Sequence, residues 1–242
     1  PMHYAGHMCD METICSIADK KGLVVVEDAA QAFGASLKGR KAGSFSLVAG
    51  LSMNPMKAFG GYGEAGVVVT SDEKIYQRLK LLRHAGTTSD PKKYITNECI
   101  EVSLNHKMDT INAALLLVAF KHLPEKKKKR EAIARRLDRE LSPNILRQGY
   151  LKNEVHGRYV YAIKTKEREP LKKFLEYNQI EVKILNHPLA CDAPVHKQYN
   201  KYFIPVARKM LEMNLIIPSH ENLEVSQIDY LISKLNSFYQ NQ

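Results

Sequence analysis

The chain has 242 residues, 44% of them hydrophobic, and carries 36 Lys and Arg against 26 Asp and Glu, a formal charge of +10. That length can bury a real core in one large domain or two modest ones. Its longest apolar run, near residues 113–120, is too short to span a bilayer, Pro1-Met2-His3-Tyr4 lacks the basic and apolar regions of a signal peptide, and Cys9, Cys15, Cys99 and Cys191 form no CxxC pair. A cytoplasmic chain is therefore expected, with no membrane contact, no metal centre and no disulfide framework.

In chain order, Ile14, Ile17 and Ala18 recur at helical spacing within residues 11–21, and Gly22 follows Lys20-Lys21 as a helix stop, so a helix is predicted there. The run Leu23-Val24-Val25-Val26 is β-branched and uninterrupted, as in a strand buried on both faces of a parallel sheet. Two more strands are predicted over 46–52 and 65–70. A helix over 73–83 follows the cap Ser71-Asp72. Residues 85–97 read as a polar loop. A long helical stretch then starts near Met108, breaks at Pro124 and runs to about Leu141. Beyond it, the patterning predicts a strand over 159–163, a helix over 170–178, a strand over 180–184 and a closing helix over 225–239. The division expected is a larger α/β part over 1–107, bridging helices over 108–142 and a small α+β domain over 143–242.

The densest positive charge runs from Lys126 to Arg130 and continues into 131–141, where apolar residues recur at helical spacing. It reads as the solvated face of an amphipathic helix. No aromatic residue interleaves it and Trp is absent, which argues against a surface for stacking single-stranded nucleic acid.

The segment Val26-Glu27-Asp28-Ala29-Ala30-Gln31 sets two acids and an amide just past the predicted first strand. Ligands of open α/β sheets sit at that edge, although an Asp there also serves as a cap or turn residue. Some thirty residues on, Ser52-Met53-Asn54-Pro55-Met56-Lys57 leads into Gly60-Gly61-Tyr62-Gly63-Glu64-Ala65-Gly66. An amine that forms an imine must shed its proton and reach a carbonyl carbon, which calls for a partly desolvated, close-packed loop. A surface lysine beside a glycine-rich turn is the plainer reading of that segment alone. The order of Gly and Lys excludes a Walker loop.

Taken together these segments resemble the DegT/DnrJ/StrS family of sugar-nucleotide aminotransferases, fold-type-I pyridoxal-phosphate enzymes. The likeness rests on Glu27-Asp28-Ala29-Ala30-Gln31-Ala32, Lys38-Gly39-Arg40-Lys41-Ala42-Gly43, Ser52 through Lys57, Gly63-Glu64-Ala65-Gly66 and Leu81-Leu82-Arg83-His84-Ala85-Gly86. It continues in Asn105-His106-Lys107-Met108-Asp109, Asn112-Ala113-Ala114 and Leu215-Ile216-Ile217-Pro218-Ser219-His220. Each motif is weak alone; their ordered succession is the signal. The resemblance implies a large domain with a mostly parallel sheet and a smaller C-terminal α+β domain. It implies pyridoxal 5'-phosphate, with Asp28 holding the ring nitrogen protonated, Gln31 near the phenolic oxygen, Ser52 on the phosphate and Lys57 as the Schiff-base lysine. It further implies a homodimer in which Asn105 reaches the neighbouring subunit's cofactor phosphate, and a reaction that moves an amino group from glutamate to the keto sugar of a nucleotide-linked hexose.

The departures are specific. His106-Lys107 stands where an arginine is usual, Asn186-His187-Pro188-Leu189-Ala190 lacks the tyrosine and histidine common around that proline, and Ala65 replaces a frequent glycine. Pro1-Met2-His3-Tyr4-Ala5-Gly6 matches an internal family segment, so the family's N-terminal portion is missing from this chain. A truncated piece, half of a split enzyme and a degenerate, non-catalytic remnant all remain open. The sugar-dehydratase branch, whose members carry histidine in place of the Schiff-base lysine, is disfavoured by Lys57.

Overall fold

The computed structural model describes residues 1–90, 92, 95–184, 188–199 and 203–240. They form two compact units, Pro1–Pro124 with Leu151–Tyr159, and Glu125–Tyr150 with Val160–Gln242.

In the first unit, α1 (Met11–Lys20) starts where the Asp10 carboxylate accepts from Thr13 N–H at 3.2 Å, and it ends before Gly22, whose φ is +62°. The next strand, β1 (Val26–Asp28), begins three residues later than the valine run suggested. Leu23 and Val24 are 62% and 69% exposed. The reason is the partner: a strand exists only where a neighbour supplies its ladder, and that ladder opens at Val26. β2 (Ser36–Leu37) and β3 (Arg40–Lys41) make a hairpin through Lys38 and Gly39, both at positive φ, as a two-residue turn requires. β4 (Val48–Ser52) pairs parallel with β1, Asp28 opposite Gly50, and β5 (Gly66–Val69) pairs antiparallel with β4.

α2 (Glu73–Arg83) is capped by Asp72, which accepts from Ile75 N–H at 2.9 Å. The polar residues expected as a loop instead form an antiparallel hairpin, β6 (Thr87–Asp90) and β7 (Ile95–Cys99). Thr88 and Glu98 face each other across it and both are exposed, so no apolar alternation marked it in the sequence.

α3 (Thr110–Glu140) runs through both units without a break at Pro124. A proline inside a helix costs about 3 kcal/mol or more. Leu116 and Leu123 before it, and Ile133, Ala134 and Leu137 after it, are all buried, and about 1.5–3 kcal/mol for each large side chain outweighs that cost. The lysine-rich face is laced rather than bare: Arg130 and Lys126 reach Glu221 at 2.6 and 3.5 Å, and Lys129 pairs with Glu125 at 3.1 Å.

Two short strands follow, β8 (Leu146–Arg147) in the second unit and β9 (Glu154–Val155), which pairs with β2 of the first. The second unit is built on β10 (Tyr161–Lys164), flanked by β8 and by β11 (Asn214–Ile217), both antiparallel. Between and after them come α4 (Arg168–Tyr177), α5 (Pro205–Met213) and α6 (Val225–Gln240). Leu137, Ile163, Leu171, Leu175, Leu215 and Leu235 make its fully buried centre. The strand expected over 180–184 is reduced to a single bridge, Lys183 opposite Ile216. Among the described residues no helix is long and apolar enough to cross a membrane.

Candidate active site

Side chains alternate along a strand, so Glu27 and Asp28 point to opposite faces of β1. Glu27 points inward and is 1% exposed. A carboxylate so placed must be fully bonded, and Glu27 accepts from His3 Nε2 (2.9 Å), Gly43 N–H (2.8 Å), Phe45 N–H (2.8 Å), Ser46 N–H (2.9 Å) and Ser46 Oγ (2.9 Å). Cys9 N–H donates to His3 Nδ1 at 3.1 Å, which leaves the ring proton on Nε2, facing Glu27. Burial pushes the Glu27 carboxyl up, but His3, Gly43, Ser46 and Phe45 together outweigh it and hold the group down at about 2.

Asp28 points the other way. It is exposed, and its Oδ1 accepts from Ala30 N–H at 3.0 Å, an Asx turn at the strand end. Because β1 and β4 run parallel, their C-terminal ends share one edge, and Asp28 and Ser52 line the same concavity of about 730 Å³ with Met2, Leu51 and Val68. Gln31 is buried just beyond, its Oε1 accepting from Ala5 N–H at 2.7 Å, so its amide nitrogen remains as the donor.

Lys57 sits half-buried on the loop that joins β4 to β5, and Asn54 organises that loop. Asn54 Oδ1 accepts from Met56 N–H (2.8 Å), its carbonyl accepts from Lys57 N–H (2.9 Å), and its Nδ2 donates to Glu64 (2.6 Å). A Cβ at Gly60 would meet the Asn54 backbone oxygen at 2.7 Å, so the closed loop admits no side chain there, and one at Gly61 would meet Asn112 Oδ1 at 2.6 Å and have to displace that amide. Phe59 anchors it in a cluster with Met53, Leu116 and Leu123. The Lys57 Nζ lies 4.6 Å from the centroid of the Tyr159 ring.

Of the five expected site residues, Asp28 and Ser52 line that concavity, and Gln31, Lys57 and Asn105 are not among its lining residues. Asn105 is exposed, bridges to His84, and its Oδ1 accepts from Lys107 N–H at 3.3 Å. Of the divergent segments, His106 and Lys107 are exposed, whereas Asn186 and His187 lie outside the described residues. Sequence reasoning passed over the Glu27 bonding set, Asn54 and Tyr159. Strand alternation alone could have sent Glu27 inward.

A second convergence, His7, Glu154 and His156, brings three possible metal-ligand groups within 4.8 Å of one another. Several of their atoms already bond to the chain: Glu154 accepts from His7 Nδ1, Met8 N–H and Leu151 N–H, and His156 Nδ1 accepts from Arg158 N–H at 2.9 Å. Those bonds fasten residues 154–156 to the first turn of the chain. Burial raises the Glu154 carboxyl, but the bonds from His7, Met8 and Leu151 prevail and lower it.

Glu27 makes a prediction. Its carboxyl is held below its unfolded value near 4.5, so the stability it contributes is complete above about pH 4.5 and is lost as the pH falls toward 2. Glu27→Gln should cost about 2 kcal/mol at pH 7, and urea midpoints of the two proteins should converge between pH 4.5 and 2. A constant gap across that range would contradict the assignment.

Residues 1–236 match the DegT/DnrJ/EryC1/StrS aminotransferase family. The chain is 33% identical over 255 residues to a pleiotropic regulatory protein of Geobacillus stearothermophilus, covering 100% of this chain and 65% of that protein. It is also 33% identical over 198 residues to the dTDP-3-amino-3,4,6-trideoxy-alpha-D-glucose transaminase of Streptomyces venezuelae, covering 81% of this chain and 49% of that one. The crystal structure of a DegT DnrJ EryC1 StrS aminotransferase from Brucella abortus superposes with a TM-score of 0.91 at 25% identity, over 98% of this chain and 63% of that one. This chain thus spans about two-thirds or less of the length of each of the three. Its α/β architecture is that of the fold-type-I aminotransferases. With the family's ordered motifs carried on that fold from end to end, the chain belongs to the DegT/DnrJ/EryC1/StrS aminotransferase family.

Proposed function

We propose that this chain is the greater part of a pyridoxal-phosphate-dependent aminotransferase that passes an amino group from glutamate to the keto sugar of a nucleotide-linked hexose. The observation that carries the reading is the shared edge of β1 and β4, where Asp28 and Ser52 line one concavity and the closed loop bearing Lys57 follows directly from β4. The donor set fits the cofactor: a carboxylate for a pyridinium N–H, an amide N–H for a phenolate, a hydroxyl for a phosphate and a primary amine for an aldehyde. The transaminase name of the Streptomyces venezuelae relative supports the nucleotide-sugar substrate.

Pyridoxal phosphate, when bound, supplies a ring that takes up the electron pair released as a substrate C–H bond breaks. The residues do the rest. Asp28, exposed to the concavity, would keep a proton on the ring nitrogen by charge and hydrogen bond. Gln31, fixed through Ala5, donates from its amide nitrogen. Ser52 would donate from Oγ to the phosphate. Lys57 Nζ would serve as the base that takes the proton from the carbon bearing the transferred nitrogen and as the acid that returns one at the other end of the exchange.

A second subunit belongs to this reading. Asn105 is exposed, and Ile100, Val102 and Leu104 around it are 60%, 96% and 72% exposed, an apolar stretch that a partner would cover. We place the work in the cytoplasm, in keeping with cysteines that form no paired motif.

Three outcomes test the proposal. Borohydride reduction of the protein with pyridoxal phosphate, followed by peptide mapping, should find the reduced cofactor on Lys57; another lysine would remove that assignment. Asp28→Asn should keep most cofactor binding, read by absorbance, yet lower turnover by about 100-fold or more, since an amide cannot hold the ring proton; turnover equal to wild type would release Asp28 from its role. Mixing Lys57→Ala with Asn105→Ala subunits should restore about half of a normal dimer's activity in the heterodimer, because one site there is intact while the other collects both defects. Heterodimers with no recovery would show that each subunit builds its site alone.

A further inference from the structure

The chain that follows α3 returns to the first unit and is fastened there at several points. β9 pairs with β2, Glu154 accepts from His7 Nδ1 and Met8 N–H at 2.8 Å each, and Gly157 N–H donates to Gly6 O at 2.7 Å. Gly6 has φ +95°, and a Cβ there would stand 2.9 Å from Arg158 N and 3.0 Å from Tyr159 N. Only glycine lets the two backbones lie this close, and that approach sets where Tyr159 goes. Tyr159 is also the last residue of the first unit before the chain passes to the second. Its ring receives the Lys57 ammonium at 4.6 Å from the centroid, within cation–π range.

We propose that Tyr159 is a positioning residue for Lys57, its ring face holding the charged ammonium group in the cofactor-free protein. The inference rests on the reading of Lys57 as the imine-forming lysine. A free lysine side chain samples many rotamers, and a fixed ring that attracts its head confines it to one region of the site. The attraction comes from the negative face of the π system and acts on the charged form. An uncharged amine feels no such pull, so the contact places no hold on the neutral form. Tyr159 thus stores the side chain without competing with its chemistry, and the ring face, not the hydroxyl, is the part that acts.

The test uses the protein without cofactor and a readout other than turnover. Position 159 is occupied in turn by Tyr, Phe, and mono-, di- and trifluorinated phenylalanine, which drain the ring face while nearly keeping its shape. Acetylation of Lys57 by acetic anhydride at a fixed pH near neutrality is then timed by mass spectrometry against the other lysines of the same sample. Phe should match Tyr, and the rate at Lys57 should climb stepwise with fluorination to about two- to five-fold above it, the range a partly exposed cation–π contact represents. A rate indifferent to fluorination overturns the proposal. A Phe variant that already labels as fast as the trifluorinated one also overturns it, by assigning the effect to the hydroxyl. Borohydride mapping of the cofactor-loaded wild type keeps the two readings apart: a reduced cofactor on another lysine defeats the Lys57 assignment, whereas the fluorine series reports on the Tyr159 contact alone.

Discussion

The site depends on one buried carboxylate. Glu27 is almost wholly out of water, and an ion so placed is tolerated only when donors replace its hydration. It takes them from the His3 side chain and from a loop of three consecutive donors at Phe45 and Ser46 with Gly43 just before. The bonds tie the entry to β4 and the first turn of the chain to β1 at a single point. Strand alternation then turns Asp28 to the open face. Two adjacent acids receive opposite tasks, one structural and one facing the concavity, and the pleat is what divides them.

Lys57 is placed by a different device. Its loop is closed on itself by Asn54, which bonds two backbone N–H groups and Glu64, and it is pinned to the first half of α3 by Asn112 and by the packing of Phe59 on Leu116 and Leu123. Glycine fits at 60 because any side chain would strike backbone, and at 61 because one would displace the Asn112 amide. The lysine ends half-buried over an aromatic ring brought from a hundred residues further along the chain. That ring arrives through the Glu154 clasp and the close approach at Gly6, neither of which touches Lys57.

How much was legible in the sequence followed the range of the interaction. Helices α1, α2, α4 and α6 were readable because their signals are local: an Asp at the cap, apolar residues three and four apart, a glycine or polar residue at the end. Asp28, Gln31, Ser52 and Lys57 were singled out from short motifs and a family likeness, and the family itself proved right. Strands fared worse. The valine run pointed to a strand three residues too early, β11 went unread although all four of its residues are buried, and the threonine-rich hairpin of β6 and β7 passed for a loop. A strand is defined by its partner, and the partner is elsewhere in the chain.

By itself, then, the sequence determined the family and the helices α1, α2, α4 and α6, since each rests on contacts within a few residues or on an ordered set of motifs. Tertiary structure alone decided that Pro124 lies inside one continuous helix, that Glu27 is the bonded carboxylate and Asp28 the open one, and that Tyr159 lies beneath Lys57. Each of those outcomes turns on a balance between groups far apart in the chain: burial against a lost hydrogen bond, five donors against desolvation, a ring face against a charge. Such balances are struck only when the chain has closed on itself.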